Sequence, residues 1–458
     1  MSIPVLWEKF FFVLGFTTIV LGRTTTASSA QYYIFGTLCQ PLKILVSFSS
    51  SSYDHRPPEF NRGSNKPMKI LFAESASYFA LGGASKAWRG LIEGLAQRGH
   101  SCAVVTIENR EQLAAEGFKP GGGKGCFELE LGTIKIFAAE SAHEQWRPML
   151  ECLRIFDPDW TLISERGVLL LSTTLEAHDP SRTVVVAQSI ITDLPTGVAN
   201  SLKDQISALL RKAAGIITIS NYMRDYIRRF SGLDSTVLHF PSYGAGPFTH
   251  FNNFDSGYVM MVNPCAYKGI SIFLSLAQKL PQVRFAAIPS WGTSAEDRAA
   301  LERLPNVTMI QPSRELDDIF KQTKVLLVPS VWGEGFGQIA VDAMLRGIPV
   351  LASNVGGLPE AKLGVDYVLP VNMIERYELD AKMQTQPVVP KQDVSPWVET
   401  LDSVLTDHAL YERVSLDSRK AALSFVGGLG PVPFEHYLER LAQTKARGAT
   451  QRGFASKV

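Results

Sequence analysis

Two carboxylates, Glu334 and Asp342, stand eight positions apart in the string Glu334-Gly-Phe-Gly-Gln-Ile-Ala-Val-Asp342. Gly335 and Gly337 allow a backbone to come close to a ligand. From Gln338 to Arg346 the residues suit a short helix, stopped by Gly347 and Pro349. A helix that starts after glycines is an anion site, because its free N–H groups and its dipole point at negative charge. Glu334 falls before that helix and Asp342 about one turn inside it. Such a pair can bracket a ligand with a phosphate in the middle and hydroxyls at both ends, and a nucleotide sugar has that shape. An acidic pair beside a helix start also fits capping and solvated charge.

A cation belongs in the same site. Lys268 lies in the loop Asn263-Pro-Cys-Ala-Tyr-Lys268-Gly269, after an expected strand Tyr258–Val262. Its ammonium would sit at the C-terminal edge of that strand, where a diphosphate needs its charge neutralised. Taken alone, a loop lysine reads as solvated surface. Gly82-Gly83 follows another expected strand, Met68–Ala73, and reads either as a ligand loop or as a plain turn.

Alternating strands and helices must position these residues. Ser85 to Arg98 has helical spacing with Trp88, Leu91, Ile92 and Leu95 on one face, and Ala103–Ile107 is the next strand. The βαβ unit so formed carries its glycine loop at the ligand edge of a doubly wound sheet. It lacks a Gly-x-Gly-x-x-Gly fingerprint, so no nicotinamide site is expected. Trp160–Ser164, Thr183–Ala187 and Gly215–Ile219 read as further buried strands. Asp157-Pro-Asp159 reads as turn chemistry before a strand rather than as a metal site. His239 to Ser256 is rich in breakers and suits a hinge. Beyond it the pattern restarts with Tyr258–Val262, a helix Ile270–Leu280, the strand Leu326–Ser330 feeding the acidic string, and Val350–Ala352. Residues 383–396 are polar and read as a surface loop. Pro433 to Lys445 reads as a last helix with Phe434, Tyr437, Leu438 and Leu441 inward.

The stretch Pro329–Met344 resembles the Glu-x7-Glu motif of the retaining glycosyltransferases of family 4, which have the GT-B fold. The loop Ser353–Glu360 and the ending Arg98-Gly99-His100 are similar to the same family. The resemblance runs from about Met68 to Ala446 and is specific over 329–360. It implies two Rossmann-like domains facing across a cleft, with the donor held mainly by the C-terminal one. Glu334 would approach the donor sugar, and Asp342, in place of a second Glu, would accept from the ribose hydroxyls. Gly335, Phe336, Gly337 and Gln338 would lie on the donor, and Gly82 and Gly83 would face its diphosphate. Lys268 matches a phosphate-binding lysine, whereas Asn263 stands where the family has an arginine. Gln188 stands where many members carry a histidine, followed here by Ser189 and Asp193. Gly292, Pro312 and Leu316 correspond to loops of a base pocket, and turn or core roles fit them equally well. The resemblance calls for no cofactor and no divalent metal. Retention would proceed by same-face attack, with the leaving phosphate taking the acceptor proton.

Composition agrees with a large enzyme. The chain has 458 residues, 45% hydrophobic, with 45 basic and 44 acidic side chains. That length suggests two or three domains. A formal charge of +1 argues against a nucleic-acid partner. Five scattered cysteines show no metal spacing and make a disulfide framework unexpected. Phe10 to Gly22 is apolar but short for a span, and reads as a signal, a membrane anchor or a variable extension. Ser49 to Asn65 reads as a linker.

The expected organisation is an extension at 1–66, an N-terminal acceptor domain at 67–245, a nucleotide-sugar domain at 255–428, and a returning helix and tail at 429–458. The expected activity is hexosyl transfer from a nucleoside-diphosphate sugar to the hydroxyl of a small molecule, lipid or glycan. A cytoplasmic location is expected, with membrane association through residues 10–22 left open. A GT-B nucleotide-sugar epimerase and a non-catalytic sugar-nucleotide-binding partner remain as alternatives.

Overall fold

Short apolar runs between breakers form strands covered on both faces. Thr183–Ala187 reads Thr-Val-Val-Val-Ala, and all five residues are buried. Continuous burial of this kind is what a parallel sheet with helices on both sides requires. The computed structural model describes residues 8–14, 17–26, 29–33, 66–80, 82–165, 168–190, 198–379 and 385–455. The expected linker Ser49–Asn65 and Asp193 lie outside the described residues.

Near the N-terminus, β1 (Glu8–Leu14), β2 (Thr17–Thr26) and β3 (Ser29–Tyr33) form an antiparallel sheet. The apolar stretch Phe10–Gly22, expected as a signal or anchor, therefore falls largely on two paired strands, with Phe11 opposite Val20. No helix among the described residues is long and apolar enough to cross a membrane.

The first large sheet takes β4 (Lys69–Ala73), α1 (Gly83–Gln97), β5 (Ser101–Ile107), α2 (Arg110–Ala115), β6 (Lys119–Pro120), β7 (Phe127–Leu131) and β8 (Ile134–Ala139). It continues with α3 (Trp146–Phe156), β9 (Trp160–Ser164), α4 (Val168–Ala177), β10 (Thr183–Ala187), α5 (Val198–Leu210), β11 (Gly215–Thr218), α6 (Asn221–Ser231) and β12 (Thr236–Val237). Its order is β12-β11-β10-β9-β4-β5-β8-β7-β6, parallel from β12 to β8. Trp88, Leu91, Ile92 and Leu95 of α1 are buried, as their spacing requires. Of the two acids before β9, one ends a helix and the other holds a neighbouring strand. Asp157 ends α3 in the left-handed region with φ 44°, and Asp159 Oδ2 accepts from Lys69 N at 2.8 Å.

The second sheet takes β13 (Tyr258–Val262), α7 (Ile270–Lys279), β14 (Phe285–Ile288), α8 (Ala295–Glu302), β15 (Val307–Met309), α9 (Leu316–Phe320) and β16 (Thr323–Val328). After it come α10 (Gln338–Leu345), β17 (Val350–Ser353), α11 (Leu358–Ala361) and β18 (Val368–Leu369). All six strands are parallel in the order β15-β14-β13-β16-β17-β18. Part of the polar stretch expected as a loop at 383–396 is regular structure. There β20 (Thr385–Pro387) pairs with β19 (Tyr377–Leu379), and α12 (Ser395–Thr406) has already begun.

After α13 (His408–Gly427), the last helix, α14 (Val432–Ala455), returns to the first sheet. Phe434 and Leu438 are fully buried, Tyr437 is nearly so and Leu441 is half-buried. Phe434 meets Phe240 with ring centres 5.0 Å apart, and the Tyr437 hydroxyl donates to Ile216 O at 3.5 Å. Buried Glu435 accepts from Arg98 at 2.5 and 2.9 Å and from His100 Nε2 at 2.9 Å. His100 Nδ1 accepts from Met68 N, so Nε2 carries the ring proton. Burial pushes the Glu435 carboxyl up, but Arg98 and His100 outweigh it and hold it below the ordinary value. A depressed carboxyl stabilises the fold above its unfolded pKa, and that contribution is lost as pH falls through the folded one. Glu435→Ala is expected to lower unfolding free energy by about 3 kcal/mol, measured by urea titration at pH 7, with a smaller deficit in acid.

Candidate active site

Both large sheets have a point where the strand order reverses. From β13 the chain moves outward to β14 and β15, then returns to β16 on the other side. From β4 it moves to β5 and β8, then returns to β9. Ligands of doubly wound sheets bind beyond the strand C-termini at such points. In the second sheet those termini carry the loops 263–269 and 329–337, which hold Lys268 and Glu334. In the first sheet the loop after β4 carries Gly82 and leads into α1.

Among the described residues, four helices around this cleft start on glycine with no side chain capping them: α1 at Gly82, α7 at Gly269, α10 at Gly337 and the four-residue α11 at Gly357. Other helices carry side-chain caps, as Ser220 does on α6 and the capping box on α8, whereas α3, α9 and α12 start without one but not on glycine. Uncapped N–H groups at a helix start suit an anion. Gly337 has φ 113°, which favours glycine, and it turns the chain from the Glu334 loop into α10. A Cβ on Gly83 would stand 3.0 Å from Gln338 Oε1, so the starts of α1 and α10 face each other across the cleft.

Each acid of the string holds one lysine. Lys268 Nζ donates to Glu334 Oε1 at 2.5 Å, and Ser330 Oγ donates to the same oxygen at 2.5 Å. The ammonium also lies 5.5 Å from the centre of the Trp332 ring. Burial pushes the Glu334 carboxyl up, but Lys268 and Ser330 overcome it and hold it below the ordinary value. Asp342, on α10, is met by Lys86 of α1, whose Nζ is 2.9 Å from both carboxylate oxygens. Burial pushes the Asp342 carboxyl up, and Lys86 and Arg346 offset this only in part.

The first sheet also clamps the Glu334 loop. A Cβ on Gly335 would run into the Gln188 carbonyl, so only glycine allows this approach. Ser220 Oγ donates to Gly335 O at 2.5 Å, while from the second sheet's own side Gly357 N donates to Glu334 O at 2.7 Å. Glu360 accepts from Asn221 N at 2.8 Å and from its Nδ2 at 3.0 Å. Gln188 is itself fixed: Trp88 Nε1 donates to its Oε1 at 3.1 Å, and Glu165 Oε1 accepts from its N at 2.9 Å.

The remaining expected residues are distributed as follows. Phe336 brings its backbone to the loop, while its ring packs against His239 and Phe425. Asn263 takes a left-handed turn with φ 57°, and its Oδ1 accepts from Gly292 N at 2.9 Å. Its buried Nδ2 has no protein partner. Leu316 is half-buried at the start of α9, and Pro312 is exposed beyond β15. Lys86, Ser330, Glu165, Ser220 and Asn221 are residues of the cleft that were not read from sequence. Ser330 had a local signal, four positions before Glu334. Lys86 had only its place in the first turn after Gly82-Gly83.

Two doubly wound sheets presenting strand C-termini to a shared cleft form the GT-B fold. Residues 255–420, which hold the second sheet, match the family model described as glycosyl transferases group 1. The chain is similar to the D-inositol 3-phosphate glycosyltransferase of Mycobacterium sp. (strain KMS), with 34% identity over 152 residues, 30% of this chain and 30% of that protein. The match thus spans under a third of the relative's length. Among solved structures, sucrose-phosphate synthase from Thermosynechococcus elongatus aligns over 85% of this chain and 100% of its own, with TM-score 0.60 and 18% identity. Anabaena Alr3699/HepE, solved with UDP and glucose, aligns over 82% of this chain and 100% of its own, with TM-score 0.57 and 15% identity. At these identities the structural likeness establishes the fold.

Proposed function

We propose that this chain transfers a sugar from a nucleoside-diphosphate sugar to an acceptor hydroxyl, with retention of anomeric configuration and without a divalent metal. The observation that carries the reading is the pair of ionic contacts, Glu334 with Lys268 and Asp342 with Lys86, on either side of the uncapped start of α10. Sugar hydroxyls would donate to Glu334 and ribose hydroxyls to Asp342. The diphosphate between them would receive the N–H groups of α10 and the Lys268 ammonium. As the bond from the anomeric carbon to the phosphate oxygen breaks, negative charge grows on the leaving diphosphate, where Lys268 and the helix start stabilise it. The acceptor oxygen bonds to the same face of that carbon, and its proton passes to the leaving phosphate. No side chain is then required as general base.

The test is a thermal-shift panel of nucleoside diphosphates and their sugars, followed by NMR of the product with small polyol, lipid and glycan acceptors. A polyol belongs in the panel because the curated relative is named for D-inositol 3-phosphate. A ligand that binds the native state raises its melting temperature. A retained anomeric configuration supports the reading, and no shift or turnover with any donor refutes it. In calorimetry, Asp342→Asn is expected to weaken nucleotide binding by about tenfold or more, since a hydrogen bond to a charged group contributes roughly 1.5–3 kcal/mol. Unchanged affinity would remove Asp342 from the ribose.

A further inference from the structure

We propose that Lys86 is a donor-binding residue that exchanges partners: its ammonium, held on Asp342, moves to the donor diphosphate as the ribose hydroxyls take its place on that carboxylate. The proposal rests on the donor site described above and adds a ligand from the opposite domain.

Four observations carry it. First, Lys86 belongs to the first turn of α1, whose Gly83 abuts Gln338, the first residue of α10. Lys86 thus links the two helices whose uncapped starts favour an anion, its ammonium lying on Asp342 one turn inside α10. Second, only one member of the pair is free to move. The Lys86 side chain is 27% exposed and that of Asp342 5%. A lysine ammonium on its four-carbon stem can be redirected, whereas a carboxylate on a packed helix cannot. Third, Asp342 is not left without a cation when Lys86 departs, because Arg346 Nη1 lies 3.9 Å from its Oδ1. Fourth, the cations of the cleft are already partly committed. Lys268 faces Glu334, and Arg346 is shared between Asp342 and Asp317, so a diphosphate entering beside Lys268 finds in Lys86 the cation that can turn to it.

The exchange ties donor affinity to the approach of the two domains. Lys268 comes from the second sheet and Lys86 from the first, so the diphosphate would be neutralised fully only when both face it.

The test is calorimetry with UDP and ADP, and with uridine and adenosine in competition, on the wild type, Lys86→Met and Lys86→Arg. For a diphosphate that the wild type binds, Lys86→Met is expected to lose about tenfold or more in affinity. Nucleoside affinity should hold or rise, because Asp342 is released, and Lys86→Arg should keep most of the diphosphate affinity. The comparison is repeated in an Asp342→Asn background, where removal of Lys86 leaves no buried charge unpaired. There the added Lys86→Met must still weaken the diphosphate. Equal losses for nucleoside and diphosphate, or no loss for either, would overturn the role of Lys86 alone. A wild type that binds no nucleoside diphosphate would overturn the donor site and this proposal with it.

Discussion

Glu334→Gln is expected to lower sugar transfer by about 10²–10³-fold, the loss typical of one preorganised transition-state contact, while nucleoside diphosphate affinity stays nearly unchanged. The substitution keeps the shape of the side chain and removes its charge. Glu334 lies before α10, on the sugar side of the proposed donor, so nucleotide contacts made by the helix and by Asp342 remain. In the wild type the carboxyl is held ionised: burial opposes the charge, but Lys268 and Ser330, each 2.5 Å from Oε1, prevail. The sign follows from that depression. Glu334 stays charged through neutral and mildly acidic pH, and its contribution fades only as pH falls through the lowered pKa. Initial rates of transfer beside calorimetric binding of the diphosphate make the measurement. Wild-type turnover in the variant would remove Glu334 from the reaction.

Lys268→Ala should weaken diphosphate binding and slow the chemical step together, and wild-type rates should be the same in excess chelator. The loss expected is about 3 kcal/mol or more, against well under one for a solvated lysine, because Glu334 is left as a buried charge without its partner. Departure of the leaving group raises the negative charge at the position that Lys268 neutralises, so kcat should fall with affinity. Full activity of the variant would return Lys268 to the surface. Complete loss of wild-type activity in chelator would mean that a metal supplies the charge.

Most of the scaffold was legible because strands buried on both faces declare themselves as apolar runs between breakers. Trp160–Ser164, Thr183–Ala187 and Tyr258–Val262 are strands with the bounds their sequence suggests. The start of α1 was less clear. It begins at Gly83 rather than Ser85, and a helix opening on glycine without a capping side chain gives little local signal. The strand at 385–387, which pairs with 377–379, was read as loop because its polar residues show no alternation that sequence alone can assign. The residues 10–22 were judged by apolar length, whereas much of that stretch is taken up by strand pairing.

The acidic string was legible as a site because its carboxylates, glycines and helix are contiguous. Its partners were not. Lys268 is 66 positions from Glu334, and Lys86 is 256 positions from Asp342. The match to the family's phosphate-binding lysine picked out Lys268, which by charge and strand edge alone reads as solvated surface, but no local pattern says which helix of one domain opposes which helix of the other. Asn263 illustrates a different limit. Its left-handed backbone, φ 57°, suits asparagine, so the residue type follows from the turn as well as from any ligand.

The return of α14 to the first sheet bears on the order in which the chain can fold during synthesis. A nascent chain that has emerged as far as residue 428 holds every strand of both large sheets, yet Phe434, Tyr437 and Leu438 have not arrived. Until they do, Phe240 packs on Trp88 but lacks Phe434, the Ile216 carbonyl lacks the tyrosine hydroxyl, and Arg98 and His100 lack Glu435. Domains generally fold from the N-terminus as they leave the ribosome. Here the domain made first is completed last, by a segment translated after the other domain has closed its own sheet.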